Sequence, residues 1–229
     1  MSDHRTLSRD LTALGPFFAV EIHLPGQSAP PPWQSMTSLI EDSAALEARV
    51  QAVRAALAHR VRTRPEHIAI RVAASVAQLG LIARLLAPAI GASALGHPPI
   101  SPAADDLWWQ DHLGGPYPLS VAPAAATPTP PLGPAVAAIT ETIAERYRVS
   151  EQVVWGNIGS AANSAAQLIS TTRPELTTTA HAAADSVLQD ARVDQGILRA
   201  GPGFRRLSCC LIYRIADDGA TICGDCILG

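Results

Sequence analysis

The four cysteines of this chain all lie within its last 21 residues, at Cys209, Cys210, Cys223 and Cys226. No earlier residue carries a thiol, so one shared role is the simplest interpretation. Adjacent cysteines cannot pair with each other without strain, and a chain with 48% hydrophobic residues does not need disulfides to fold. Tetrahedral sulfur sites bind zinc or iron–sulfur clusters. The spacing therefore indicates a metal site and only slightly favours a cluster over zinc.

The residues between the two cysteine pairs predict a β-hairpin. β-Branched and aromatic residues dominate the segment 211–215, which predicts a strand. Residues 217–219 are typical of a turn, and residues 221–222 would begin the return strand. A tight turn would leave Cys223 about 13 Å along the strand from the first pair. The knuckle formed by residues 223–226 must therefore curl back as a loop, and the first pair must lie on a turn or at a strand end.

Composition excludes several kinds of function. Only 16% of residues are charged and the net charge is −3, which argues against a nucleic-acid binder. All 17 basic residues are arginine, so neither Schiff-base nor P-loop lysine chemistry is available. No glycine-rich dinucleotide fingerprint is present, which predicts that electrons for any redox reaction come from an external, ferredoxin-like donor.

The chain opens with polar residues and shows no secretory signal, so we expect a cytoplasmic protein. The most apolar stretch, 68–95, predicts a buried helix and leaves a peripheral membrane association open. Its two arginines, Arg71 and Arg84, should either meet carboxylates such as Glu66 or Asp105 or line a ligand pocket. Pro88 should kink or end this helix.

The predicted fold class is mainly α (α+β), a helical body with a small C-terminal hairpin and loop module that carries the cysteines. An N-terminal helical part (1–122) precedes an Ala/Pro linker (123–134), a second helical part (135–195) and the metal-binding tail (196–229). Trp108 and Trp109 are expected to pack in the core. Besides the apolar stretch, helices are predicted over 5–14, 38–62, 135–148, 151–169 and 174–190.

The tail from Phe204 to Cys226 resembles the C-terminal signature of FhuF-like ferric-siderophore reductases. The resemblance lies in Arg-x-Ser-Cys-Cys at 206–210, an aromatic residue shortly after, and Cys-Gly-Asp-Cys at 223–226. Weaker similarities to the family occur at 15–18, 71–75, 84–88 and 155–157. One departure is Ile227, because in the family a proline often follows the last cysteine. The resemblance implies that Cys209, Cys210, Cys223 and Cys226 together ligate one [2Fe–2S] cluster and that the protein reduces ferric siderophores in the cytoplasm.

Several side chains near this signature are candidates for tuning the cluster or binding the substrate. Arg205, Arg206 and Arg214 would ease reduction of an anionic cluster or attract an anionic chelate, or they are ordinary solvated charges. Trp155 and Asn157 either stabilise their own helix or dock against the cluster module. Two other functions stay open from the residues alone: a zinc-stabilised helical binding module, and an iron–sulfur sensor or carrier.

Overall fold

A computed structural model describes residues 2–98, 100, 102–122, 131–215 and 224–225. Within these residues, seven α-helices accompany a sheet of four short strands, so the prediction of a mainly α fold is confirmed. The helices are α1 (Ser2–Ala13), α2 (Ser38–Glu41), α3 (Ser43–Arg60), α4 (Ile70–Ala94), α5 (Pro134–Tyr147), α6 (Glu151–Thr172) and α7 (Thr177–Leu188). The strands are β1 (Glu21–Ile22), β2 (Gln34–Ser35), β3 (Leu107–Trp109) and β4 (Leu119–Val121).

Helix α4 is the centre of the molecule, packed against α3, α5, α6 and α7. It is long and apolar enough to cross a membrane, but 72% of its most apolar window is buried inside the protein. A core helix meets the same length and hydropathy criteria, and the burial confirms the predicted buried helix. Pro88 does not end α4, which continues to Ala94. Packing on several sides outweighs the hydrogen bond that proline removes.

Arg84 has a different partner from either of those expected. Its guanidinium is buried in α4 and donates hydrogen bonds to the backbone carbonyls of Tyr117, Phe17 and Ala19. The expectation that Arg84 meets a carboxylate or lines a ligand pocket is therefore wrong. Among the described residues, three backbone carbonyls stabilise its charge instead. Burial lowers the pKa of Arg84. Arg71, in contrast, lies on the exposed side of α4.

The sheet is formed by strands between residues 21 and 121, in the order β1-β4-β3-β2. β1 runs parallel to β4, and the other two pairs are antiparallel. Trp109 is buried against the core and Trp108 stacks on His23 with ring centres 3.7 Å apart, so the expected core packing of the two tryptophans is confirmed.

The predicted β-hairpin is wrong in its first strand. Residues Ile212–Ile215 form a 3-10 helix, and the return strand lies outside the described residues. Propensity for strand structure is weak evidence, because tertiary context often overrides it. A second difference is the break between α2 and α3, where Asp42 caps α3 by accepting a hydrogen bond from the Ala44 amide.

The remaining helix predictions are confirmed within a few residues, except that α7 is preceded by a 3-10 turn at Pro174–Leu176. Residues 123–130 of the predicted linker lie outside the described residues. Helices from both sides of this linker contribute to one hydrophobic core. That shared core holds α4 and α6 together, and the C-terminal segment packs on both.

Candidate metal centre

The segment that carries the first cysteine pair is anchored at both ends and at its centre. Phe204 and Ile215 are buried and belong to the hydrophobic core. Between them, the hydroxyl of Ser75 in α4 donates a hydrogen bond to the Cys210 carbonyl at 3.0 Å. The position of the cysteine pair is therefore set by the helical body.

Close approach of this segment to α6 depends on Gly156. A Cβ at this position would lie 2.0 Å from Ser208 Oγ and 3.0 Å from Arg206 Nη2. The contact with Ser208 Oγ is shorter than any real Cβ contact, and the contact with Arg206 is at the tight limit. The absence of a side chain at 156 therefore lets Ser208 and Arg206 lie directly against α6.

The two cysteines differ in exposure. Cys210 is 2% exposed, whereas Cys209 is half-buried. Leu211 follows them with φ of 69°, a left-handed conformation that leucine rarely adopts, and its amide donates a hydrogen bond to Cys209 Sγ at 3.4 Å. Amide donors to ligand sulfurs are one means by which proteins set the potential of an iron–sulfur site.

The second cysteine pair, Cys223 and Cys226, lies outside the described residues, but the two residues between them are described. The amide of Arg206 donates a hydrogen bond to the Asp225 carbonyl at 3.3 Å. The middle of the knuckle therefore contacts a residue three positions before Cys209. A set of four thiolates fits a [2Fe–2S] cluster. Because two of the four cysteines lie outside, the described part contains no group of three or more metal-binding side chains.

Arg206 is buried, with 1% of its surface exposed. Its Nη1 donates to Asn157 Oδ1 at 2.8 Å, and its Nη2 donates to the Val153 carbonyl and to Ser208 Oγ, each at 3.1 Å. The interpretation of Arg206 as a solvated surface charge is therefore wrong. Burial raises the pKa of the nearby Asp225 carboxyl, an effect that the Ser160 hydroxyl and the charge of Arg206 only partly offset.

Asn157 links this arginine to the centre of the helical body. Its amide nitrogen donates to the Ser75 carbonyl and hydroxyl, both at 3.1 Å, and to Gln78 Oε1 at 2.9 Å. Gln78 in turn donates to Thr140 Oγ1 and to the Val154 carbonyl. The hypothesis that Asn157 docks against the cysteine module is confirmed, since it bonds to Arg206 on one side and α4 on the other.

Arg205 and Arg214 are exposed, unlike Arg206. Arg214 Nε donates to the Tyr213 hydroxyl at 3.2 Å. The hydrogen bond and charge of Tyr213, followed by the charge of the Cys209 thiolate, raise the pKa of Arg214. Arg214 therefore lies near the cysteine pair, and its influence on a cluster stays a prediction, as does that of Arg205.

Trp155 lies beneath Arg192 at the base of an open cleft. The Trp155 side chain is 5% exposed, and the Arg192 guanidinium carbon lies 4.3 Å from its ring centre. The cleft has a volume of about 510 Å³, and Glu141, Glu151 and Leu207 contribute to its lining. Leu207 is two residues before Cys209, so the cleft reaches the immediate neighbourhood of the cysteine pair.

Sequence reasoning assigned no role to four residues that position this site, although Ser75, Gly156 and Ser208 lie in the motifs that carry the resemblance. Ser75 holds the module from α4, Gln78 supports Asn157, and Gly156 and Ser208 form the contact of the module with α6. The signal for Ser75 and Gln78 was available, since polar residues three apart inside an otherwise apolar helix predict a buried hydrogen-bonding role. The buried Asp194 carboxylate also holds the segment, since it accepts a hydrogen bond from the Leu207 amide at 3.2 Å.

The comparisons with known proteins locate one match. Residues 206–226 match the family model described as the FhuF 2Fe–2S C-terminal domain. The chain matched no curated protein and no solved structure. The matched range contains all four cysteines together with Arg206 and Ser208. Residues 206–226 are therefore similar to the FhuF 2Fe–2S C-terminal domain, which supports a [2Fe–2S] cluster as the cofactor, and the resemblance noted in the sequence is confirmed over these residues.

Proposed function

We propose that this protein is a ferric-siderophore reductase that passes one electron to chelated Fe(III) and releases Fe(II) in the cytoplasm. The observation that carries the proposal is the match of residues 206–226 to the FhuF 2Fe–2S domain. Hydroxamate and catecholate oxygens are hard ligands that hold Fe(III) tightly and Fe(II) weakly. Delivery of one electron therefore releases the metal from the chelate.

The four cysteines would hold the [2Fe–2S] cluster, which supplies a single electron when bound. The chain's own contribution is to fix this centre at the edge of the helical body. Ser75 holds the backbone at Cys210, and the Leu211 amide points at the sulfur of Cys209. The half-buried Cys209 leaves one side of the site accessible to a large chelate.

The cleft beside Leu207 is the best candidate for receiving the chelate. Its volume of about 510 Å³ lies in the range of small-molecule sites. Its one arginine, Arg192, is already paired with Asp190 at 2.8 Å and with Glu141 at 3.6 Å. Glu151 adds a further negative charge to the lining. Because negative charges outnumber positive charges around the cleft, it favours neutral or cationic ferric hydroxamates over strongly anionic tris-catecholates.

An external carrier, similar to a ferredoxin, would supply the electron. This part of the proposal is supported by the sequence, which contains no glycine-rich dinucleotide motif. Such a donor and the ferric chelate would both meet the protein in the cytoplasm. The exposed arginines Arg205 and Arg214 offer positive charge near the cysteine pair for an acidic carrier.

Rapid mixing of the reduced, cluster-loaded protein with a ferric hydroxamate tests this function. We expect the visible spectrum to reoxidise much faster than with buffer alone, and a ferrous-specific chelator to trap one Fe(II) per electron delivered. A ferric tris-catecholate should react more slowly. Reoxidation no faster than in buffer would refute the reductase and leave an iron–sulfur sensor or carrier.

Reversing charge in the cleft should change the rate with a cationic chelate. Glu151→Lys is expected to slow reduction of a cationic ferric hydroxamate by roughly 3- to 10-fold, through KM more than kcat, because the cleft then repels it. Glu21→Lys, on the exposed face of β1, is the matched control and should leave the rate unchanged. Equal rates for both variants would place the chelate elsewhere.

A further inference from the structure

The guanidinium of Arg206 is a buried charge that forms no direct ion pair in the described part of the chain. Throughout the described ranges, no Asp or Glu oxygen lies within 4 Å of it, although the Asp225 carboxylate is close enough for the charge of Arg206 to lower its pKa. Its partners are an amide oxygen, a backbone carbonyl and a hydroxyl, all neutral, and its Nε has no acceptor there. A buried charge is costly unless something of opposite sign lies close by.

Two short paths connect this charge to the cysteine pair. Arg206 Nη2 bonds to Ser208 Oγ, and Ser208 directly precedes Cys209. On the other side, Nη1 bonds to Asn157, which bonds to Ser75, whose hydroxyl donates to the Cys210 carbonyl. The Arg206 amide also holds the Asp225 carbonyl between the other two cysteines. Arg206 therefore contacts Ser208, which directly precedes the first cysteine pair, and Asp225, which lies between the cysteines of the second.

We infer that Arg206 is the buried counter-charge of the cluster site and that it raises the reduction potential of the bound cluster. Four thiolates and two sulfides outweigh two irons, so the centre is anionic and becomes one unit more negative on reduction. A positive charge fixed nearby and shielded from water stabilises the reduced state more than the oxidised one. The inference deepens the proposed function, since it concerns how readily the same site accepts its electron.

The exposed Arg199, earlier in the same segment, provides a matched control. We expect Arg206→Gln to lower the equilibrium constant for one-electron reduction about tenfold, which corresponds to about 59 mV. Arg199→Gln removes an equal charge from an exposed position where solvent screens it, and it should leave the potential nearly unchanged. Arg206→Lys keeps the charge and should recover most of the potential. The measurement is a redox titration of the visible spectrum, normalised to iron and sulfide content.

The titration needs no siderophore, so it separates this inference from the proposed reductase activity. An unchanged potential in fully loaded Arg206→Gln would overturn the inference, as would an equal shift in Arg199→Gln. If Arg206→Gln fails to take up the cluster, the potential of Asn157→Asp provides the test. The aspartate carboxylate would replace the amide oxygen that lies 2.8 Å from Arg206 Nη1, and it would neutralise the guanidinium. Neutralising the guanidinium in place should lower the potential, and an unshifted potential in that variant would contradict the inference.

Discussion

Replacing any one of the four cysteines by serine should strip the [2Fe–2S] cluster from the protein or leave it too labile to isolate. A serine hydroxyl is a much weaker ligand than a thiolate, and a site with three strong ligands cannot replace the fourth from its surroundings. The backbone at Cys210 is fixed in place, since the residue is buried and its carbonyl accepts a hydrogen bond from Ser75. The visible absorbance and the iron and sulfide content of protein purified without oxygen measure the loss.

Arg205→Gln is the control for this series, because it lies in the same segment and is exposed. It should retain the wild-type spectrum and metal content. A normal spectrum in one of the Cys→Ser variants would show that this cysteine is not a ligand. The series is most informative for Cys223 and Cys226, because their ligand role rests on the domain match and on their spacing.

Gly156→Ala is expected to destabilise the attachment of the whole C-terminal segment. Its methyl group would lie 2.0 Å from Ser208 Oγ, so the hydroxyl must move and give up its hydrogen bond with Arg206. Overpacking, together with a buried donor left without its partner, costs about 1–3 kcal/mol. We expect a lower free energy of unfolding in denaturant titrations and reduced cluster retention.

Two other glycines serve as matched controls for the same substitution. At Gly159, also in α6, the nearest atoms to a Cβ lie at 3.4 Å, which is ordinary contact. At Gly80, exposed in α4, nothing lies within 4 Å, so alanine should stabilise the helix by about 0.5–1 kcal/mol. If Gly156→Ala were as stable as Gly159→Ala and kept its cluster, the close contact with Ser208 would not be holding the segment.

The helical body could be predicted from the sequence because its signals are local. Apolar periodicity and helix-start residues located α5 and α6 to within a few residues. The hairpin prediction failed for the opposite reason. Residues 211–215 have strand-forming side chains, but tertiary packing overrides such propensity, and Ile212–Ile215 form a 3-10 helix that contacts α4. Pro88 similarly does not end α4, because packing on several sides outweighs the loss of one helical hydrogen bond.

The sequence by itself determined the chemistry of the metal site. Four cysteines lie close together, with Arg-x-Ser before the first pair and Gly-Asp inside the second, and this pattern indicates one metal-binding module. It could be recognised without a structure because the type of ligand is a property of single side chains. Only the tertiary structure decided what surrounds that module. It buried Arg206 and left Arg205 in solvent, and it joined Ser75 and Asn157, 82 positions apart, beneath the cysteine pair. Such differences depend on which surfaces pack together, and the residues of one segment do not specify which surface will cover it.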